Sequence, residues 1–204
     1  YQGAIADYNK AIAINPKYYE AYTNRGYAKY DLKDYQGAIA DFTKAIEINP
    51  QLAQVYNNRG AAKRVLGDTQ GAIADYNKAI EINPQYANAY YNRGNAKDDL
   101  EVYQGAIADF NKAIAINPKY YEAYNNRGYA KYKSKDYQGS ISDYNKAIEI
   151  NPKDALAFAN RGDSKRRLGK EKDACKDYKT AVSLGHQGVA QWLNSADGAW
   201  CRNM

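Results

Sequence analysis

The sequence predicts an all-α solenoid of 34-residue helix-turn-helix repeats, and two observations carry that prediction. All five prolines follow an asparagine, at Asn15-Pro16, Asn49-Pro50, Asn83-Pro84, Asn117-Pro118 and Asn151-Pro152, each pair 34 residues after the last. The triplet Asn-Arg-Gly recurs at the same step, beginning at Asn24, Asn58, Asn92, Asn126 and Asn160. A fixed period of this length marks stacked supersecondary units, none of which can bury its apolar face alone. Residues 1–30 match residues 103–132 at 28 of 30 positions, an offset of three periods that points to duplication of a three-repeat block.

Each period holds two helices. Tyr19–Leu32 has no proline and places Ala21, Tyr22, Ala28 and Leu32 on one helical face. Tyr35–Ile48 carries Ala38, Ile39, Phe42, Ala45 and Ile46 as an amphipathic stripe. Lys33-Asp34 turns the chain between them, and Asn49-Pro50 ends the second helix because the residue before proline is forced out of the α region. The same reading in every period gives helices near 2–14, 19–32, 35–48, 53–66, 69–82, 87–100, 103–116, 121–134, 137–150, 155–168 and 171–184. Gly26, Gly60, Gly94, Gly128 and Gly162 sit in mid-helix, where glycine costs about 1 kcal/mol against alanine. The expected reason is a close crossing by the second helix at Ala38, Ala72, Ala106, Ser140 and Ala174.

Composition narrows the class. The chain has 204 residues, 45% hydrophobic and 25% charged, with a mean hydropathy of −0.81, values of a folded soluble protein. No 18-residue apolar run or signal peptide is visible, so no membrane span is expected. The single Met is Met204, so the chain reads as a fragment or a processed product. Tyrosine occurs 22 times against 3 Phe and 2 Trp, which predicts a tyrosine-built core. One His and two Cys leave little for metal or acid–base chemistry. Nucleotide-binding, metalloprotease and Cys-x-x-Cys motifs are all missing. No enzyme, metal or cofactor is predicted.

The period, with Tyr22, Gly26, Ala38, Phe42, Ala45 and Pro50, resembles the tetratricopeptide repeat over residues 1–188. The resemblance implies a right-handed superhelix whose first helices line a concave groove, and a non-catalytic scaffold that binds extended peptides or partner proteins. The array would comprise a half repeat at 1–18 and full repeats at 19–52, 53–86, 87–120, 121–154 and 155–188. The last is degenerate, with Asp173 in place of Gly and His186 in place of Pro. Val189, Trp192, Leu193 and Ala196 then predict a capping helix within residues 189–204. His186, at a helix boundary, is expected to serve the turn or cap.

Candidate function sits on the first helices. Asn24, Asn58, Asn92, Asn126 and Asn160 never vary, and each amide offers one acceptor and two donors. In register and free of intramolecular partners, they would hydrogen-bond the backbone of an extended peptide, with Tyr27, Tyr91, Tyr129 and Tyr132 as amphipathic walls. The alternative is that the Asn serves helix packing. Chaperone-binding members of the family grip a C-terminal carboxylate with Lys, Asn and Arg, but this chain keeps only the Asn, so no such clamp is predicted.

The Arg after each Asn (Arg25, Arg59, Arg93, Arg127 and Arg161) departs from the family, which prefers an apolar residue there. An Asp recurs in each second helix, at Asp41, Asp75, Asp109, Asp143 and Asp177, and the two sets are expected to pair. Charge is uneven: residues 1–102 hold 12 basic and 12 acidic side chains, residues 103–204 hold 17 and 11, and these sum to the net +6. Lys133, Arg166 and Arg167 belong to this basic end, which would suit an acidic partner. Nucleic acid is not predicted, because half of the array is neutral. The uncovered stripe Ala4, Ile5, Tyr8, Ala11 and Ile12 is expected to be covered by upstream repeats of a longer protein, and the other reading is a second function, self-association through residues 1–14. Compartment stays open, with the cytoplasm favoured. Cys175 is expected as a buried thiol, or as one half of a bridge to Cys201 that would imply an oxidising compartment.

Overall fold

The structure is a computed structural model that describes residues 1–202. The described residues form thirteen helices and no strand, in two compact units divided between Val102 and Tyr103. The first unit holds α1 (Gln2–Ile14), α2 (Tyr19–Asp31), α3 (Tyr35–Ile48), α4 (Ala53–Val65), α5 (Thr69–Ile82) and α6 (Ala87–Asp99). The second holds α7 (Tyr103–Ile116), α8 (Tyr121–Lys133), α9 (Tyr137–Ile150), α10 (Ala155–Arg167), α11 (Glu171–Ser183), α12 (Gln187–Asn194) and α13 (Ala199–Arg202). Within each unit every helix packs on its neighbours in sequence, and α4 also touches α6, as α8 touches α10. This is the stacked helix-pair architecture of a repeat solenoid.

Local chemistry sets the helix ends. α2, α4, α6, α8 and α10 each stop one residue before the expected end, because the residue two positions on is left-handed: Lys33 (φ 64), Gly67 (φ 87), Glu101 (φ 59), Lys135 (φ 66) and Gly169 (φ 71). The chain there turns back on the helix, with Lys33 N–H bonded to the Tyr30 carbonyl and Asp34 N–H to that of Lys29, both at 2.9 Å. The next helix starts at once. Asp34, Asp68 and Asp136 cap α3, α5 and α9 by accepting from the N–H of Gly37, Gly71 and Gly139. A Cβ on any of these glycines would run into the capping carboxylate, so Asp and Gly form one device. The last repeat has Lys170 and Asp173 at these positions, and α11 has no side-chain cap. Second helices end at an extended Asn, as at Asn15 (φ −132, ψ 95), whose Oδ1 accepts the Lys17 N–H at 3.0 Å. Asn49, Asn83, Asn117 and Asn151 make the same turn. His186 takes a different role from the prolines it replaces, capping α12 by accepting the Val189 N–H on Nδ1 at 3.2 Å.

The interior differs from the tyrosine-built core that composition suggests. Its buried positions are mainly alanines, such as Ala38, Ala62, Ala72 and Ala96 in the first unit and Ala130, Ala147, Ala157 and Ala174 in the second. One aromatic per helix pair, Phe42, Tyr76, Tyr144 or Tyr178, fills the space between them. Most other tyrosines are half-buried at the margins. The mid-helix glycines are explained by these rings rather than by the small residues expected. A Cβ on Gly26, Gly60, Gly128 or Gly162 would lie 2.6, 2.8, 2.9 or 2.7 Å from the ring of Phe42, Tyr76, Tyr144 or Tyr178, and at Gly60 the Ala72 carbonyl also approaches, at 3.1 Å. Overpacking of this kind costs about 1–3 kcal/mol, comparable with or above the helix penalty of glycine. Where two alanine positions become serines, at Ser140 and Ser164, both side chains are fully buried and bond each other at 2.6 Å. The paired change leaves neither hydroxyl unsatisfied.

Charged residues bind the helices across this alanine interior. Arg25, Arg59, Arg127 and Arg161 each donate through Nε and Nη2 to both oxygens of Asp41, Asp75, Asp143 and Asp177, at 2.5–3.0 Å. The remaining Nη1 donates to the preceding second helix, at Asn9, Thr43, Asn111 or Asn145, and Arg93 does so to Asn77. Lys29, Lys63, Lys131 and Lys165, one turn after each Arg, add a second cation to the Asp at 2.7–2.8 Å. The carboxylates are only 4–6% exposed and the guanidinium side chains 15–17%. Hydrogen bonding to Asp41 raises Arg25 above the ordinary arginine value. The expected ladder is therefore present within the repeats, and each guanidinium also lies over the ring three residues before it, at 5.1–5.5 Å.

At the end of the second unit α12 and α13 pack against α11. The expected amphipathic helix ends at Asn194 rather than reaching Ala196, because Ser195 is extended (ψ 171), and α13 follows. Trp192, Leu193, Val189 and Trp200 pack on Ala174, Cys175, Tyr178 and Cys201. Cys175 is not a free thiol: a disulfide joins it to Cys201, with Cα atoms 5.3 Å apart.

Burial pushes Tyr76, Tyr144 and Tyr178 far above the ordinary tyrosine value. The folded state then keeps three protons that the unfolded chain loses near pH 10, so these groups favour folding below that pH and unfolding above it. We expect an absorbance titration of the phenols, followed together with helical circular dichroism, to set these three apart. Three should ionise only together with loss of helical circular dichroism. Ionisation of all 22 without unfolding would contradict this packing.

Candidate functional site

The repeat arginines face the second helices. Adjacent residues on a helix are rotated by about 100°, so the Asn before each Arg is carried away from that contact. In the first unit, Tyr19, Glu20, Thr23, Asn24 and Tyr27 of the α2 region line a cavity of about 400 Å³, closed on its other side by residues 51–55. Asn24 is exposed here, and Tyr27 is half-buried, packed edge-on against Phe42 with centroids 5.4 Å apart. Burial pushes the Tyr27 phenol up, and the Asn58 amide moderates the shift. The Thr23 hydroxyl is buried without a hydrogen-bond partner. A buried donor left unmade costs about 1–3 kcal/mol, so this wall is chemically incomplete.

The neighbouring asparagines are not all free, contrary to expectation. Asn92 Nδ2 donates to Asn57 Oδ1 at 2.9 Å, and Asn57 Nδ2 donates to Asn58 Oδ1 at 3.1 Å. Asn57, 5% exposed, thus ties α4 to α6. The relay uses the acceptor of Asn58 and one donor of Asn92, so Asn58 presents its N–H side, next to the Tyr27 phenol, and Asn92 its carbonyl oxygen. Tyr91 stands half-buried on α6. The linking residue was missed from sequence. Its only signal is the doublet Asn57-Asn58, which recurs at Asn125-Asn126.

In the second unit the corresponding place is arranged differently. Asn125 is buried and donates its amide to the Asp154 carboxylate, which also caps α10 through the N–H groups of Leu156 and Ala157 at 3.1 Å. The Asn125 Oδ1 is buried without a partner. Asn126 is half-buried, and Tyr129 is exposed with Lys133 over its ring at 5.9 Å. Tyr132, Asp163, Arg166 and Arg167 line a cavity of about 410 Å³. Asn160 lines a smaller one of about 250 Å³ with Tyr178, His186 and Trp192. Of the three basic residues singled out from sequence, the structure brings Arg166 and Arg167 together and leaves Lys133 outside their cavity. Among the described residues, no group of His, Cys, Asp and Glu could hold a metal ion, and no helix is long and apolar enough to cross a membrane.

The family follows from this geometry and from comparison. A family model described as TPR repeat matches residues 1–33, 63–97 and 99–135, and one described as tetratricopeptide repeat matches 19–52 and 121–154. The chain belongs to the tetratricopeptide-repeat family. Among solved structures, MamA is 26% identical with a TM-score of 0.74, over 81% of this chain and 96% of that one. A MamA from Desulfovibrio magneticus RS-1 is 19% identical with a TM-score of 0.77, over 83% and 96%. YrrB, described as a TPR protein with an unusual peptide-binding site, is 21% identical with a TM-score of 0.74, over 90% and 96%. No curated protein matches the chain. Scaffolds of this family are, in general, protein-interaction modules rather than catalysts.

The amide relay has a measurable signature. Asn57→Ala removes two part-buried hydrogen bonds and should destabilise the protein by about 1–3 kcal/mol, whereas Asn24→Ala, at an exposed position, should stay within about 0.5 kcal/mol. Urea denaturation compares them, and equal effects would show that the relay is not a structural link.

Proposed function

We propose that this protein is a non-catalytic interaction scaffold that holds an extended segment of a partner protein against its first helices. The observation that carries the reading is the α2 cavity, where the unpartnered Thr23 hydroxyl, the exposed Asn24 amide and the Tyr27 ring line one space. An extended backbone offers N–H and C=O groups alternately. Asn24 can meet both, Asn58 supplies donors and Asn92 an acceptor. In the second unit, Asn126, Asn160, Tyr129 and Tyr132 would take the same roles. The peptide-binding site ascribed to YrrB belongs to a protein of the same fold, which is compatible with the proposal.

The test is selection of a displayed library of unstructured dodecapeptides on the intact protein, followed by affinity measurement. Asn24→Ala should weaken the selected peptides roughly 2- to 13-fold, the equivalent of one lost hydrogen bond of about 0.5–1.5 kcal/mol. Tyr27→Ala should weaken them further. Selected peptides that bind both variants as tightly as the parent would reject the groove reading.

One observation favours a second reading, self-assembly. No residue of α1 is buried, and Asp7 and Tyr8 occupy the positions that Asp41 and Phe42 fill in a complete helix pair. Among the described residues Asp7 makes one ion pair, with Lys10 at 3.4 Å on the surface. A second copy would cover this stripe. Sedimentation at rising concentration distinguishes the two readings: Ile5→Asp with Ile12→Asp should abolish any association through α1 and leave peptide binding intact.

A further inference from the structure

Seven of the eight arginines on the first helices, all but Arg93, divide into three groups by what they touch. Arg25, Arg59, Arg127 and Arg161 are neutralised by bidentate aspartates, as described. Arg64, near the end of α4, pairs with Asp99 near the end of α6 at 2.7 Å. Arg166 and Arg167, at the end of α10, have no carboxylate within ion-pair reach among the described residues. Arg166 occupies the repeat position of Arg64, and the residue 35 further on, which is Asp99 for Arg64, is Cys201. The acid that completes the first-unit pair is thus missing here.

Both guanidinium groups are nevertheless held in place. Arg166 lies over Trp192 at 5.5 Å and Trp200 at 5.8 Å, and its side chain makes no hydrogen bond among the described residues. Arg167 lies over Tyr132 at 6.0 Å and donates through Nε to the Tyr132 hydroxyl at 3.1 Å. Arginine has five N–H donors, so Arg166 keeps all five and Arg167 four. Cations near a helix C-terminus are favoured by its dipole. That accounts for a basic residue at the end of α10 but not for its aromatic seating. The cavity wall also contains Asp163, whose Oδ1 accepts the Tyr178 hydroxyl at 2.7 Å. Its charge offsets one of the two arginines, which suits a singly charged carboxylate better than a phosphate chain.

We propose that the cavity lined by Tyr132, Arg166 and Arg167 binds an aspartate or glutamate side chain of an acidic partner segment, in the way Asp99 binds Arg64. The proposal deepens the scaffold reading by naming the partner's chemistry at this end, and it rests on that reading only for the partner being a protein. The aromatic stacking pre-orients the two forks, so little side-chain freedom is lost on binding. The pair is exposed, as Arg64 and Asp99 are, so each contact is modest and sensitive to salt.

Fluorescence anisotropy with a labelled octaglutamate peptide, acetylated and amidated so that only side-chain carboxylates remain, tests the proposal on the intact oxidised protein. Arg166→Gln and Arg167→Gln should each weaken binding about 5-fold or more, and Arg167→Lys should not restore it, because lysine lacks the planar fork. Lys172→Gln, the same charge change on α11, should alter binding less than about 2-fold. Equal weakening by Lys172→Gln would reduce the effect to net charge and overturn the site. Tighter capture of a single-stranded oligothymidylate than of octaglutamate would also overturn it, as would binding that needs a free peptide C-terminus. Asn24→Ala with Tyr27→Ala should leave octaglutamate binding unchanged. Failure of the α2 groove and failure of this site are therefore read separately.

Discussion

The arginine that follows each invariant asparagine is the side chain on which the helix packing depends. Its fork reaches the aspartate of the following second helix through two parallel bonds and a polar side chain of the preceding second helix through a third, as Arg59 does with Asp75 and Thr43. One residue thereby fixes three helices. Lysine could not substitute, since it lacks the planar geometry that engages both oxygens at once. The aspartates are almost fully buried, and a carboxylate removed from water is tolerated only when it is paired and hydrogen-bonded. The lysine one turn further on supplies the second cation. Such an arrangement adds less to net stability than to selection among packings. An interior of small alanines, able to slide, is where selection of that kind is needed.

The same residue explains what remains available for binding. Because the arginine is committed to the inside of the repeat, the adjacent asparagine is carried to another side of the helix, and Asn24 stands exposed at the edge of a cavity. In the rest of the first unit the surface is partly occupied by its own side chains, since Asn57 links Asn58 and Asn92. This fixes which donors and acceptors are presented, because an amide already bonded on one side shows a partner only its other side. Arg166 and Arg167 are outside this scheme, with no carboxylate in ion-pair reach among the described residues.

Much of the fold was legible in the sequence because the repeat multiplies each weak signal. One mid-helix glycine says little, but five at a fixed spacing imply a close approach, and one Arg with one Asp implies nothing until the pair recurs in phase. What occupies the glycine hollow was not legible. The hollow is filled by Phe42, Tyr76, Tyr144 or Tyr178, each sixteen residues downstream, and a packing partner across two helices leaves no periodic mark distinguishing a ring from a methyl. The capping glycines Gly37 and Gly71 were read as part of a repeated phrase, and their dependence on Asp34 and Asp68 appeared only with the backbone geometry. The candidate site was less legible than the fold. Asn57 was hidden because its bond to Asn92 spans 35 positions, whereas the Cys175–Cys201 bridge was one of two readings that the sequence left open, since Cys201 lies outside the repeat phase.

The central claim, that the buried Arg–Asp contact sets the helix-pair packing, is tested most directly by a double-mutant cycle on Arg59 and Asp75 in urea denaturation. The account predicts that Asp75→Asn, which leaves Arg59 and Lys63 without their carboxylate, destabilises the protein by about 3–5 kcal/mol, and that Arg59→Met, which leaves Asp75 with Lys63 alone, destabilises it by about 1–3 kcal/mol. The double variant should lose much less than the sum, with a coupling energy of at least about 1 kcal/mol. Additive losses, or single variants within about 0.5 kcal/mol of the parent, would contradict it.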